Sequence, residues 1–496
     1  MSDWAPSITA RVLRMDLRHW LLALAAAWLG GSALTLTPAS YGDGGEYHLT
    51  AESFLRHASP EMRPRDVHSL AARTRRFGVP LNFAATQAAY FEDRWGGWHS
   101  VHFWGYALIT TAPRALLRLL RLNDLRNAQL LNAGALLLAL HQILFGGAFP
   151  RAPALGFALL ALFSPAAWYM RWTHPEAFSF ACVVLALVWT RAGYRYRPVL
   201  AAALAAAQQP ALLALVVPLW LRALRPGAGR SAGRPWLATA AGVPAVLPAL
   251  FNLVAFGTPS LIARETTDLR NLSAARAAEL LLDLNLGLLP YAPVAVVLFA
   301  LTLPLSLRDR TWRLRAWGTA AVLAAAAFVC TSTSTWNHGS AGPSRYGVWL
   351  AAFVFYGVSE AHAWLEERGS RGLRNAWRAA LAGAVVVQSS VVLGRGGLDQ
   401  AEDDLRPSYA ARLALRYAPG WYSPSPEIFV SRTLGRWSPG DEPAIYRDQT
   451  GCRKAWLRPR DADHLRETCG ALPTGEDAFF DLRGHERRNV WRYVHY

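Results

Sequence analysis

The chain has 496 residues, of which 53% are hydrophobic and 17% are charged, with a formal net charge of +17. Soluble domains carry about 25% charged residues, so this composition argues against an ordinary soluble protein and indicates a membrane protein. The positive charge does not indicate nucleic-acid binding, because the sequence contains no recognisable nucleic-acid-binding module. Arginines near the ends of apolar segments account for most of it, and Lys454 is the only lysine.

Apolar segments of about 20 residues, the length that crosses a hydrocarbon core of about 30 Å, recur along most of the chain. We predict an all-α polytopic membrane protein with about eleven transmembrane helices. A secretory signal peptide is the alternative for the first segment, but no clear A-x-A cleavage site follows it. The predicted spans are 19–38, 101–120, 128–149, 153–170, 176–192, 199–222, 236–256, 286–306, 316–334, 346–362 and 379–394.

Basic residues predict the orientation of these spans. Arg11, Arg14 and Arg18 precede the first span, which places the N-terminus in the cytoplasm. We therefore predict a transmembrane domain over 1–394 with a long first periplasmic loop, 39–100, and a periplasmic C-terminal domain over 395–496. The expected location is the bacterial inner membrane.

One basic run, at 222–230, falls on the outer side in a strict count of the spans, which conflicts with this orientation. A segment between 128 and 222 is therefore expected to be broken or re-entrant. The Q-Q-P of Gln208 to Pro210 is the candidate break, because proline removes a backbone donor from a helix.

The four cysteines fall into two groups. Cys182 and Cys330 lie in apolar runs and are expected to be inert core residues. Cys452 and Cys469 lie in the polar C-terminal region, close enough in sequence for a disulfide. Such a bond is consistent with a tail that faces an oxidising compartment.

The stretch Y-G-D-G-G-E-Y-H, Tyr41 to His48, follows directly on the first apolar segment. It places Asp43 and Glu46 at a membrane surface, where carboxylates are costly unless they have a function. Such a carboxylate could accept a proton from an acceptor hydroxyl or hold a divalent cation. The alternative is a capping box, with Asp43 as N-cap and Glu46 at the third helical position. Tyr47 is a candidate substrate-binding neighbour.

Two residue pairs in the same loop have helical spacing. Glu52 and Arg56 are four residues apart, which predicts an ordinary surface ion pair. His99 and His102, in W-H-S-V-H-F-W, are one helical turn apart and could face one pocket. The alternative for this stretch is an interfacial aromatic belt, which would explain its tryptophans.

A third candidate group lies in R-W-T-H-P-E, Arg171 to Glu176, which opens a predicted span. Glu176 at the start of a membrane helix is costly unless it is paired or faces a polar cavity. The alternative is a carboxylate that the dipole of the helix N-terminus favours. We include His174 and Glu176 among the candidate substrate-binding residues.

Two late segments, 283–294 and 336–346, lie at predicted outer membrane edges. The second, W-N-H-G-S-A-G-P-S-R-Y, carries Asn337, His338, Arg345 and Tyr346 in a glycine-rich context. Arginine offers forked donors to a phosphate, so this segment predicts an anion site. The alternative is a plain loop whose arginine reaches towards lipid headgroups.

These motifs, in this order, resemble the GT-C superfamily of integral-membrane glycosyltransferases, which includes protein O-mannosyltransferases and lipid A aminoarabinose transferases. The resemblance covers about 350 residues and ends at Tyr346. It implies a polyprenyl-phosphate-linked sugar donor, an outward-facing site in contact with membrane lipid, and a first-loop carboxylate as general base. The D-G-G-E pattern differs from the adjacent Asp-Glu of the mannosyltransferases, so either Asp43 or Glu46 could be the base. The acceptor is not readable from the sequence.

Two other functional classes remain open. A transporter or lipid flippase would need charged residues along a path through the middle of the bilayer, whereas the candidate residues here gather at outer edges. A non-catalytic membrane scaffold would use the tail to bind a partner. Substitution of Asp43 separates the scaffold from the enzyme.

Overall fold

The computed structural model describes residues 16–40, 42–225, 234–333, 342–399, 405–438, 440–482 and 490–496. Helices dominate these ranges, which confirms the predicted helical class, and a small three-stranded sheet lies near the C-terminus. Two candidate substrate-binding residues, Asn337 and His338, lie outside the described residues, as does Tyr41.

The first half of the described chain contains twelve α-helices and one β-hairpin. They are α1 Leu17–Thr35, α2 Gly44–His57, α3 Pro64–Phe77, α4 Phe83–Ala88, β1 Tyr90–Glu92, β2 Trp98–Ser100, α5 Gly105–Leu119, α6 Asn127–Phe145, α7 Arg151–Leu162, α8 Glu176–Arg191, α9 Arg197–Ala206, α10 Leu213–Leu224, α11 Pro235–Gly242 and α12 Leu247–Phe256.

The second half continues with ten further helices and three strands. They are α13 Leu261–Thr266, α14 Ala274–Leu282, α15 Pro293–Ser306, α16 Arg310–Cys330, α17 Arg345–Arg368, α18 Arg371–Gly394, α19 Tyr409–Tyr417, α20 Pro426–Leu434, β3 Ala444–Asp448, β4 Gly451–Leu457, α21 Ala462–Cys469, α22 Asp477–Phe480 and β5 Arg492–His495.

Four helices among the described residues are long and apolar enough to cross a membrane, or five if the bent pair α11–α12 counts as one span. The four are Asp124–Phe145, Arg310–Cys330, Arg345–Arg368 and Arg371–Gly394. The predicted number of eleven is therefore not confirmed. Several other predicted spans form apolar helices of only 10–17 residues, too short on their own for a hydrocarbon core of about 30 Å.

Proline explains part of this difference. The predicted span 199–222 is two helices, because α9 ends at Ala206 and a 3₁₀ turn, Pro210–Leu212, precedes α10. The predicted break at Gln208 to Pro210 is thus confirmed. In the segment 236–256 the chain bends by 55° between α11 and α12.

Contacts divide the chain into two compact units. The first takes its described residues from Met1–Glu265, Val297–Ala326 and Val348–Gln400, and the second from Thr266–Val296, Ala327–Gly347 and Ala401–Tyr496. The predicted domain boundary between residues 394 and 395 stays a prediction. The second unit contains the C-terminal segment together with two segments from earlier in the chain.

Small and aromatic side chains fill the core of the first unit. Thirteen residues of α8 are buried, from Glu176 to Val188. A Cβ atom added at Gly156 of α7 would lie 2.5 Å from Leu381 of α18, so glycine permits this close approach. Gln388 of α18 donates to the main-chain oxygen of Leu160 at 2.7 Å, which satisfies a buried polar group.

The second unit is built around the antiparallel sheet β3–β4–β5, in which Ala455 pairs with both Ile445 and Val494. Cys452 on β4 forms a disulfide with Cys469 at the end of α21, which confirms the predicted bond. Cys182 and Cys330 are free and buried, as predicted.

Buried polar contacts join the D-L-N segment at Asp283 to the tail within this second unit. The Tyr422 hydroxyl donates to Asp283 Oδ2 at 2.9 Å, and Asn285 donates to the same tyrosine at 2.9 Å. Burial raises the pKa of the Asp283 carboxyl, although main-chain donors at Leu286 and Asn285 oppose the rise. These contacts give this segment a structural role that its membrane-edge position alone did not predict.

Candidate functional site

The start of α2 determines the geometry of the candidate site. Gly42 has φ +49°, a left-handed conformation that L side chains rarely adopt, and it turns the chain into α2. Gly45 packs so closely on Thr86 that an added Cβ would lie 2.1 Å from its hydroxyl oxygen. The glycines of this motif are therefore needed for both the turn and the packing.

Asp43 occupies the N-cap position of α2, yet its side chain makes no capping hydrogen bond. Its carboxylate instead lies 3.0 Å from Nε2 of His102. Glu46, in the first turn, also points to this histidine and not back to the helix N-terminus. The capping-box alternative is thus not formed, and both carboxylates are directed at one imidazole.

His102 lies in the loop between β2 and α5, outside the helices long enough to span a membrane. Its Nδ1 is 2.8 Å from Glu46 Oε2, and the Ser100 hydroxyl donates to the same oxygen at 2.5 Å. The Ser100 hydroxyl also accepts the main-chain N–H of His102 at 3.0 Å. Both imidazole nitrogens are therefore engaged, one by each carboxylate.

Burial would lower the pKa of His102, but the carboxylates of Asp43 and Glu46 outweigh burial and raise the pKa to about 10. The imidazole is therefore a cation at neutral pH and donates a hydrogen bond to each carboxylate. Exposure decreases across the group, from 22% for the Asp43 side chain to 13% for His102 and 7% for Glu46. Asp43 is thus the carboxylate that an incoming ligand reaches most easily.

Aromatic residues form one wall beside this cluster. The Tyr47 ring lies 5.7 Å from the His102 ring and 5.9 Å from the His174 ring. Gln208, from the broken segment between α9 and α10, donates to the Tyr47 hydroxyl at 2.9 Å. The sequence-predicted residues Asp43, Glu46, Tyr47, His102 and His174 therefore lie together.

Glu176 lies behind this wall. It is fully buried at the start of α8, and its carboxylate is 3.9 Å from Nδ1 of His174. An isolated parallel bridge between Ala39 and Trp172 holds the R-W-T-H-P-E segment against the chain that leads into α2. This bridge brings His174 into contact with Tyr47.

His99 has contacts of its own on strand β2. It lies on strand β2, with Nε2 at 3.0 Å from Asp93 Oδ2, and its ring packs against Phe251 and Phe256. The helical spacing assumed for the two histidines is wrong because β1 and β2 form a hairpin, in which neighbouring side chains alternate between faces. A role of His99 in substrate binding stays a prediction.

A buried histidine that the sequence did not single out lies one turn along α2. His48 is fully buried, and its Nε2 lies 3.1 Å from the hydroxyls of both Ser40 and Thr173. Burial and the nearby Arg114 lower its pKa to about 3, so the imidazole is neutral. No local pattern could have found this contact, because Thr173 is 125 residues away.

The predicted surface pair of Glu52 and Arg56 is also wrong. Glu52 is fully buried and pairs with Arg114 at 2.8 Å and with Arg118, whereas Arg56 pairs with Asp66 at 3.2 Å. Arg114 is fully buried as well, and its guanidinium lies between Glu52 and Asp124. This network of ion pairs connects α2 to α5.

Asp43, Glu46 and His102 can also provide ligands for a metal. One donor atom from each lies within 4.8 Å of the others. Two carboxylates and one imidazole suit Mn²⁺, Fe²⁺ or Zn²⁺, and three protein ligands leave a coordination position open for a substrate or water. A bound cation would need the neutral imidazole as a ligand, so it would compete with the proton of His102.

The remaining candidates that the structure describes belong to the second unit. Arg345 and Tyr346 form the first residues of α17 and are partly buried. Asn337 and His338, which precede them in the sequence, lie outside the described residues. The predicted anion site at Arg345 therefore stays a prediction.

Comparison with family models, with curated proteins and with solved structures found no significant match. The described residues define a mostly helical protein with four or five candidate membrane spans and a small strand-containing C-terminal region. The resemblance to the GT-C glycosyltransferases stays a proposal.

Proposed function

We propose that the protein is a membrane glycosyltransferase that moves a sugar from a polyprenyl-phosphate donor to an acceptor hydroxyl. The contact of Asp43 and Glu46 with one imidazole supports this proposal most directly. The two carboxylates and the imidazole are costly to bury, and they contact one another instead of capping the N-terminus of α2. The proposal places the site on the periplasmic side of a bacterial inner membrane, with lipid beside it.

In the proposed reaction, the acceptor oxygen forms a bond to the anomeric carbon while the bond from that carbon to the phosphate oxygen breaks. The acceptor proton passes to a carboxylate, and polyprenyl phosphate leaves as the anion. No redox step or further reactant is needed. The protein therefore has to position the acceptor, accept one proton and stabilise the leaving phosphate.

The geometry supports different roles for the two carboxylates. Asp43 is the more exposed, so we assign it as the base that contacts the acceptor. Glu46 is more buried and accepts from both Ser100 and His102, which suits a positioning residue. The cationic His102 holds the Asp43 carboxylate in place through its contact with Oδ2. Arg345 is proposed to contact the phosphate.

The experiment measures release of free polyprenyl phosphate by the purified chain in nanodiscs. Donors carrying a hexose or an aminopentose are supplied with a membrane extract as the source of acceptor. Asp43→Asn should lower the rate by about 10²-fold or more while donor binding stays near wild type. Arg345→Ala should weaken donor binding as well, because it removes a charged contact.

Glu61→Gln provides the matched control, because Glu61 is a partly exposed carboxylate of the same loop whose partner is Arg63. It should leave the rate unchanged. A wild-type rate in Asp43→Asn would move the base to Glu46. Full activity with both carboxylates neutralised, or no release from any donor, would reject the transferase in favour of the transporter or scaffold.

A further inference from the structure

Helix α19 of the second unit carries two different faces. Ala411 and Leu415 point inward, and Leu415 packs with Phe429 and Val430 in the core beside the sheet. The opposite face exposes Tyr409 and Tyr417, whose residues are 67% and 73% solvent-accessible. Helix α19 therefore packs on the unit through a small apolar face, and its large side chains are exposed to solvent.

The exposed face combines aromatic, apolar and basic side chains. Leu413 is 40% exposed, and Trp421, in the turn after the helix, is 95% exposed. Arg412 is also exposed, and it is three residues after Tyr409, which makes the two neighbours on the helix surface. We name this surface the Tyr–Arg face, and its members are Tyr409, Arg412, Leu413, Tyr417 and Trp421.

Charge gives the Tyr–Arg face a preferred partner. The segment 405–421 contains three arginines and no acidic residue. Arg416 lies 3.8 Å from Asp448, so Arg412 carries the more available charge of the two on the helix. Exposed aromatic rings beside arginines are costly in water but suit the headgroup region of a bilayer, where tyrosine and tryptophan concentrate.

We propose that the Tyr–Arg face docks onto the surface of an anionic lipid bilayer. A membrane is the expected neighbour, because α19 follows soon after α18, one of the candidate spans. The rings and Leu413 would enter the headgroup region, and Arg412 would lie among lipid phosphates. This role of the tail does not depend on the proposed transferase activity.

The test uses the full-length chain with a nitroxide at Leu413→Cys. The free cysteines Cys182 and Cys330 are replaced by alanine, and the native disulfide is left intact. Nanodiscs contain phosphatidylcholine alone or an equal mixture with phosphatidylglycerol. In the anionic discs the label should be accessible to oxygen and protected from a water-soluble nickel complex, and the docked fraction should be larger than in the neutral discs.

Two matched controls accompany this measurement. A label at Asp463→Cys, whose native side chain is 87% exposed on α21, should stay accessible to the nickel complex in both lipids. Arg412→Gln should lower the ratio of docked to undocked label about fivefold, the effect of one arginine near an anionic surface. Arg466→Gln removes the same charge elsewhere on the tail and should leave this ratio unchanged.

Three outcomes would overturn the proposal. Equal accessibility of the labels at Leu413 and Asp463 to the nickel complex would show that the Tyr–Arg face stays in water. Equal docked fractions in the two lipids would show that anionic charge plays no part. Protection that appears in detergent and rises with protein concentration would assign the face to a second copy of the chain.

Discussion

The stability of the site should depend on pH through His102. Its pKa is raised from 6.5 to about 10 by Asp43 and Glu46 against the opposing effect of burial. A group whose pKa is higher in the folded state stabilises that state fully below its unfolded pKa. The stabilisation is then lost as the pH rises through the folded pKa. The start of α2 should therefore be most stable against local unfolding near pH 6 and less stable towards pH 10.

The size of this effect follows from the two pKa values. A shift from 6.5 to about 10 corresponds to about 5 kcal/mol, because each pH unit is worth about 1.4 kcal/mol. Hydrogen exchange of the first two turns of α2, followed by mass spectrometry in nanodiscs, measures local opening. Between pH 6 and pH 10 the protection, corrected for intrinsic exchange, should fall by about 10³-fold in the wild type.

His102→Asn removes the titrating group and should abolish this pH dependence. His68→Asn is the control, because His68 is an exposed histidine on a different helix, α3. It should behave as the wild type does. Equal pH dependence in the wild type and His102→Asn would refute the reasoning, and so would an isotope-labelled His102 that titrates near pH 6.5.

Three further predictions concern the surroundings of the site and the tail. Ser100→Ala removes a donor to the Glu46 carboxylate and should destabilise the start of α2 by about 2 kcal/mol in the same exchange experiment; unchanged protection would contradict it. Arg114→Met leaves two buried carboxylates without their buried partner and should cost about 3–5 kcal/mol, seen as a lower thermal unfolding temperature; a wild-type temperature would contradict it. Replacing Cys452 and Cys469 by alanine should destabilise the tail in urea by about 3 kcal/mol, because the bond closes a loop with a sequence separation of 17; an unchanged midpoint would contradict it.

Part of this structure could be predicted because its signals are local. Apolar run-length predicts helices, and proline at Pro210 predicts where one of them breaks. Asp43 and Glu46 could be predicted as site residues because acidic residues are costly beside an apolar segment. His102 could be predicted because it is a titratable residue at the end of the first long loop. Their contact in the structure shows that polar residues next to an apolar segment indicate this cluster.

The rest depends on contacts between residues far apart in sequence. Glu52 and Arg56 have the spacing of a surface pair, yet tertiary packing gives each a different partner. Ser40, His48 and Thr173 meet because an isolated bridge joins two distant segments. The predicted number of spans is not confirmed, because composition alone does not distinguish a short buried apolar helix from one that crosses a bilayer.

Successive turns of α2 are held by different polar partners. Glu46 is fixed by His102 and Ser100, His48 by Ser40 and Thr173, and Glu52 by Arg114 and Arg118. Arg114 also donates to the main-chain oxygen of His48 at 2.7 Å, which links two of these levels. Rotation of the helix would separate several buried charges from their partners at once, and each separation is costly. The orientation of Asp43 towards His102 is therefore set by the folded protein before any ligand arrives, as electrostatic preorganisation of the proposed transfer site requires.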